Sequence, residues 1–196
     1  MKSSSITKKI VSGKFKNKVL KLPSKSTTRS SKAIVLESFF NTIQFEIIDA
    51  TFVELFSGSG SIGLEALSRG AKEIIFMERD HEALKILKEN IAQTDPASCE
   101  VYNGDTFVNI QNVIKTLQRR KAKAYFYIDP PFSTREGMED IYDKTIAMIA
   151  SLPKECVKLI IIEHMSPLEI PKVIGSFGIK KSKKFGNTTL TYLESE

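Results

Sequence analysis

The sequence predicts an α/β fold: a mostly parallel, doubly wound sheet of Rossmann-like type with helices on both faces, closed by an antiparallel C-terminal hairpin. Three observations predict it. From Thr51 onward, short apolar runs alternate with stretches whose apolar residues recur every three or four positions. A glycine-rich turn, Gly58-Ser59-Gly60-Ser61-Ile62-Gly63, follows the first of those runs. Near the end, Ile179 to Phe185 and Thr188 to Leu193 flank Gly186-Asn187, which reads as two strands about a tight turn.

The elements follow in order. Residues 9–22 alternate crudely about a turn signal at Asn17, so a short basic β-hairpin is expected there. Pro23 to Arg29 is a linker. A helix capped by Ser30 or Ser31 should run to about Gln44, because Val35, Phe39 and Ile43 share one face. Parallel strands are expected at 51–56, 73–78, 98–104, 124–129 and 157–163, which with the terminal hairpin make a seven-stranded sheet. The helices between them carry Ile62, Leu64 and Leu67, stopping at Gly70; then Leu84, Leu87 and Ile91; then Phe107, Ile110, Ile114 and Leu117; then Met138, Ile141, Tyr142 and Ile149. The division expected is a basic arm over 1–30 and one domain over 31–196.

The totals bound the function. A chain of 196 residues, 41% hydrophobic, suits one core with a small appendage. Its longest apolar run, around Leu159 to Ile162, is too short to span a bilayer, and the first residues lack the apolar centre of a secretory signal. Cys99 and Cys156 form no metal-binding pair and are expected as reduced thiols in strands, so the chain is expected in the cytoplasm. The net charge of +6 is unevenly placed. The first 36 residues carry ten basic residues and no acid, which leaves −4 on the rest. Lys14, Lys16 and Lys18 cluster at the expected hairpin tip, where they suit contact with nucleic-acid phosphates; the alternative is a solvated tail.

Gly58, Gly60 and Gly63 fit the pattern that lets a nucleotide-like cofactor approach the backbone, with Phe56 and Ser59 beside them. Glu78 ends the next strand twenty residues after Gly58, followed by Arg79, where a carboxylate can accept both ribose hydroxyl protons. Those features fit a dinucleotide or S-adenosylmethionine (SAM). Two others favour SAM. Glu54 lies inside the first strand and can face the glycine turn, where it would receive an ammonium group. Asp105, before Thr106 at the end of the third strand, is placed for an adenine amino group, for capping the next helix, or for both.

Asp129-Pro130-Pro131-Phe132 ends the fourth strand, at the edge where doubly wound sheets place their sites. The Asp129 carboxylate and the Pro130 carbonyl can each accept one N–H of an exocyclic amine on a planar base. That turns the nitrogen lone pair toward the methyl group of a sulfonium, while Phe132 stacks on the ring. His81 and His164 lack partners at metal-ligand spacing, and no metal is expected. Lys180, Lys181, Lys183 and Lys184 read as guards of an exposed strand edge, and Arg119 to Lys123 as a solvated loop.

These residues resemble the bacterial 16S ribosomal RNA guanine-N2 methyltransferases of the small subunit over nearly the whole chain. Ile10 to Leu20 resembles that family's basic hairpin, Glu54 to Ala71 its long glycine-rich block, and Asp129 to Phe132 its catalytic tetrad. Arg29 to Asn41 resembles its first helix but departs from it: Ser30 stands where the family has proline, and Ala33 and Ile34 replace an acid and a base. The resemblance implies SAM as cofactor, methyl transfer to the N2 amine of a guanine, and a monomeric enzyme acting on 16S rRNA within the small subunit, with Arg29 among the RNA contacts. Two rivals stay open. A DNA adenine-N6 methyltransferase needs the same site but usually a separate DNA-reading domain. An RNA-binding assembly factor would keep the fold without the chemistry.

Overall fold

The structure, a computed structural model, describes residues 6–23, 30–131 and 140–196, with side chains from residue 33 onward in the first helix. Met138, Arg29 and Phe132 lie outside the described residues.

Two three-residue strands, β1 (Thr7–Lys9) and β2 (Val19–Lys21), pair antiparallel as the basic hairpin. Helix α1 (Ser30–Thr42) follows, and the expected face, Val35, Phe39 and Ile43, is buried. The main domain then winds β3 (Thr51–Leu55), α2 (Ser61–Ser68), β4 (Glu73–Glu78), α3 (His81–Ala92), β5 (Cys99–Asn103), α4 (Thr106–Arg120), β6 (Ala124–Ile128), α5 (Ile141–Ala150), β7 (Val157–Met165), β8 (Val173–Ile174), β9 (Phe177–Phe185) and β10 (Thr188–Ser195). The sheet order is β5-β4-β3-β6-β7-β10-β9-β8, parallel from β5 to β7 and antiparallel beyond.

The sheet therefore has eight strands rather than seven. The additional β8 is two residues long, too short to give a periodic signal, and turns back through Gly175 at φ 58°. Cys156 closes a short 3-10 turn ahead of β7 instead of lying in a strand; it is buried, Cys99 is half-buried, and both are free thiols.

Strands β3 and β6 are buried along their whole length because helices cover both faces. One face packs Phe52, Phe76, Tyr125 and Tyr127 against α1, α2, α3 and the arm residues Ile10, Phe15 and Leu20. The other packs Val53, Ile75, Phe126 and Ile160 against α4 and α5. The arm is thus part of the domain's own core. Polar groups fix it as well. The buried Glu65 of α2 accepts the backbone N–H of Val11 (2.7 Å) and Ser12 (3.1 Å) and the Arg69 guanidinium (2.7 Å). Asn90 of α3 exchanges two 2.9 Å hydrogen bonds with the Lys21 backbone. Gly13, at φ 82°, lies so close to the Ser68 carbonyl that no side chain fits there.

Candidate active site

The site is assembled at the C-terminal ends of β3, β4, β5 and β6. After Leu55 the chain turns sharply through Phe56, at φ 55°, and the Ser57 hydroxyl donates to the carbonyls of Glu54 and Met77, tying the turn to β4. Gly60 stands at the start of α2 at φ 74°. Gly63 is required for packing, since a Cβ there would meet Phe76, Ile74 and the Glu54 carboxylate within 2.8 Å. A Cβ on Gly58 would meet nothing within 4 Å, so this part of the turn faces open space.

Glu54 does face the turn. Its Oε2 accepts the Gly63 N–H at 2.8 Å, and the side chain is buried. Burial, with a smaller contribution from Asp129, raises its pKa to about 8 despite that bond and the nearby Lys8 ammonium. A buried carboxyl that holds its proton at neutral pH suits a partner that brings a positive charge. Glu78, also buried, accepts the N–H groups of Gly58 (2.6 Å), Arg79 (2.8 Å) and Asp80 (2.7 Å). It therefore shapes the glycine turn, a duty its spacing did not reveal. Asp105 caps α4 by accepting the Phe107 N–H at 2.8 Å, and its other oxygen lies 3.7 Å from the Arg79 guanidinium. Thr106 is buried behind it, and Ser59 is buried with its carbonyl held by Asn90 at 2.9 Å. Phe56 and Phe107, both half-buried, meet edge to face at 5.7 Å and form an apolar wall beside these acids.

Asp129 follows β6. The last β3–β6 pair is Leu55 with Ile128, so Asp129 lies level with Phe56 and the glycine turn. It is half-buried, Pro130 is buried and Pro131 is half-buried. Around them the structure gathers residues that no motif pointed to. Tyr127 donates to the buried Glu163 at 2.7 Å, and burial followed by Glu163 and Asp129 drives its pKa well up. Tyr142 of α5 is buried, its pKa raised by burial and opposed by the Met165 backbone, with Asp129 and Glu163 also facing it. His164 is held between Thr191 (2.9 Å) and the Met165 carbonyl (3.0 Å), and burial lowers its pKa. It is a satisfied core histidine. Among the described residues, no cluster of His, Cys, Asp or Glu suits a metal.

The arm meets this site at its root. Lys8 lies 3.5 Å from the Ser61 hydroxyl at the start of α2. The tip lies against the other end of that eight-residue helix, about 12 Å away, where the Lys14 N–H donates to the Ser68 carbonyl at 2.7 Å. Lys14 and Lys18 flank the Phe15 ring at 5.1 and 5.9 Å, and Lys16 is exposed beside them. Hairpin composition showed the charge; only the path along α2 shows that Lys8, not the tip, neighbours the glycine turn. A cavity of about 670 Å³ lies at the opposite, N-terminal ends of the strands, between Thr51, Lys72, Glu73 and Lys158, away from all of these residues.

The family model described as conserved hypothetical protein 95 matches residues 8–194. The chain belongs to that family. Among curated proteins, it is 27% identical to YlbH of Bacillus subtilis, over 92% of this chain and 95% of that one. It is 26% identical to ribosomal RNA small subunit methyltransferase D of Escherichia coli, over 96% of this chain and 90% of that one. Among solved structures, yhhF from E. coli superposes with a TM-score of 0.76 at 24% identity, covering 97% of this chain and 99% of that one. The fold is that of the SAM-dependent methyltransferases, a group that includes SMU.776, solved in complex with SAH (TM-score 0.55, 15% identity, 79% of this chain and 48% of that one). The E. coli relative is named a methyltransferase, and SMU.776 was solved with SAH. The residues gathered here fit a SAM-like cofactor chemically: a buried acid at Glu54 that suits an ammonium, an acid at Glu78 beside the open face of Gly58, and the Phe56–Phe107 wall.

Proposed function

We propose that this chain transfers a methyl group from SAM to the exocyclic N2 amine of a guanine in 16S rRNA, within the small ribosomal subunit. The observation that carries the reading is Asp129-Pro130-Pro131, set level with the glycine turn and within electrostatic reach of Glu54. Its support comes from the likeness to the E. coli relative named for small-subunit rRNA and from the basic arm docked against α2.

When bound, SAM would supply a methyl group on a sulfonium, whose sulfur leaves as a neutral thioether. The chain's own residues do the rest. Glu54, Glu78 and Asp105 hold the cofactor's ammonium, ribose and adenine, with Phe56, Gly58, Ser59, Gly60, Gly63, Arg79 and Thr106 shaping the pocket. The Asp129 carboxylate and the Pro130 carbonyl would each accept a hydrogen bond from one amine N–H and so aim the lone pair; once the methyl is on nitrogen, one of those protons departs to solvent and the other stays on the product. Pro131, with no N–H, adds no competing donor. Phe132 is assigned to stacking by its place in the tetrad. Lys14, Lys16, Lys18 and Arg29 are assigned to phosphate contacts. Among the described residues no helix is long and apolar enough to cross a membrane. The chain is assigned to work as a monomer in the cytoplasm, where its rRNA substrate is found.

The test is mass spectrometry of 16S rRNA from cells with and without this protein, paired with methyl incorporation in vitro using purified small subunits, 16S rRNA and DNA. The expected result is loss of one N2-methylguanine from the rRNA and its restoration by the pure protein. Methylation of DNA adenine instead, or SAM binding with no transfer to any of the three, would overturn the reading.

A further inference from the structure

The lysines of β9 do more than their sequence pattern suggests. Strand β8 pairs only with Phe177 and Gly178, so the rest of β9 forms the outer edge of the sheet. Four lysines stand on that stretch, and one is neutralised: Lys180 pairs with Glu194 at 2.6 Å. The other three have no carboxylate within ion-pair distance among the described residues. Lys181 lies over the Tyr192 ring at 4.7 Å. Lys183 reaches the hydroxyls of Ser38 (3.2 Å) and Thr42 (3.4 Å) on α1, and Lys184 is exposed. Partial burial first, then the neighbouring Lys183 and Lys180, hold the Lys181 ammonium below its usual range, with Glu46 opposing them. Between α1 and β9 runs a groove of about 340 Å³ lined by Ile34, Glu37, Ser38, Asn41, Thr42 and Lys183.

Position gives this charge a purpose. Leu190 pairs with both Lys183 and Glu163, and Glu163 follows the Ile162 that pairs with Ile128. The Lys183–Lys184 end of β9 is therefore level with Asp129. Three strand spacings separate β6 from β9, about 14 Å. The arm lies on the other side of the site, over α2 and α3.

We propose that Lys181 and Lys183, with the α1–β9 groove, form a second phosphate track for the RNA substrate, opposite the arm across the Asp129 end of the sheet, and that Lys184, on the other face of β9, adds its charge at the open edge. This rests on the rRNA reading above. A strand held on both sides presents the nucleotide between them to Asp129, and two anchors offset the cost of unstacking that nucleotide. Hydroxyl and amide groups of Ser38, Asn41 and Thr42 add neutral contacts to sugar and phosphate.

The test is the full chain with all three lysines changed to Gln, and a companion with all three changed to Arg, titrated with 16S rRNA over a range of salt. The Gln variant should bind more weakly, its log K against log salt shallower by up to about 2 at roughly 0.7 per single-strand phosphate contact. The Arg variant should keep the wild-type slope, and both should bind SAM as the wild type does. A Gln variant that binds SAM normally and matches wild type in RNA affinity and slope would show that the lysines only guard the edge. If the wild type neither binds nor methylates free 16S rRNA or purified small subunits, the substrate reading falls and the track with it. Normal methylation by wild type and Gln variant alike overturns the track alone.

Discussion

Glu54 is a carboxyl whose surroundings decide its charge. Burial places its pKa at about 8, so at neutral pH it keeps a proton that an arriving ammonium must displace. SAM binding at pH 7 should therefore release a proton, and affinity should climb from about pH 6 toward 8. Above that the cofactor's own α-amino group begins to lose its charge, since such groups titrate near 7.7–8.0, and the gain should stop. Calorimetry in buffers of different ionisation enthalpy measures the release directly. No release at pH 7, or the same release from a Glu54→Gln variant, would remove Glu54 from the ammonium site. Asp129 is assigned to the acceptor amine rather than to the cofactor. Asp129→Ala should leave SAM affinity nearly unchanged while slowing single-turnover methyl transfer by about 10²-fold or more, the scale for one electrostatic stabiliser in a closed site. Transfer at the wild-type rate would sink that assignment.

At the scale of elements, α2 links cofactor and arm. Its first turn holds the glycine loop, and its later residues Glu65 and Ser68 hold the arm's backbone. Glu65→Ala would leave the Val11 and Ser12 amides and the Arg69 guanidinium without that partner, at a cost of about 1–3 kcal/mol for each buried group that water does not reach. The expected outcome is faster hydrogen exchange at Val11 and Ser12 and weaker RNA binding, with SAM affinity retained. Unchanged exchange there would mean the apolar residues Ile10, Phe15 and Leu20 suffice to dock the arm. These elements also show what a sequence discloses. β3, α2 and β6 were legible because their signals are local: an apolar run, then glycines or prolines that only a turn requires. The arm was legible as a basic hairpin, but its path down α2 depends on Glu65 and Asn90, partners more than fifty residues away in the chain. The meeting of Tyr127, Glu163 and Tyr142 beside Asp129 was hidden for a related reason. Each reads as an ordinary strand or helix residue until β6, β7 and α5 bring them together beside Asp129.

At the scale of the whole molecule, charge and chemistry are segregated. The acids Glu54, Glu78 and Asp129 sit at the strand ends, while positive charge lies on the arm and on β9, to either side. Lys14, Lys16 and Lys18 at the arm's tip are exposed, and Lys14 meets Asp95 only at 3.7 Å with 70% of its side chain exposed, a pair of little strength. They are free to exchange that contact for phosphate. Changing all three to Ala should weaken binding to 16S rRNA and lower the slope of log K against log salt by up to about 2. SAM affinity should stay at the wild-type value, because these side chains lie at the far end of α2 from the glycine turn. Among the described residues the arm and β9 share no side-chain partner, so combining the three Ala changes with the β9 Gln changes should give slope losses that add. Salt titrations of the four proteins measure this. A wild-type slope in the arm variant would mean its lysines are only solvated. A combined loss no larger than either alone would mean both sets compete for one phosphate run, and the RNA then passes along one side of the site instead of across it.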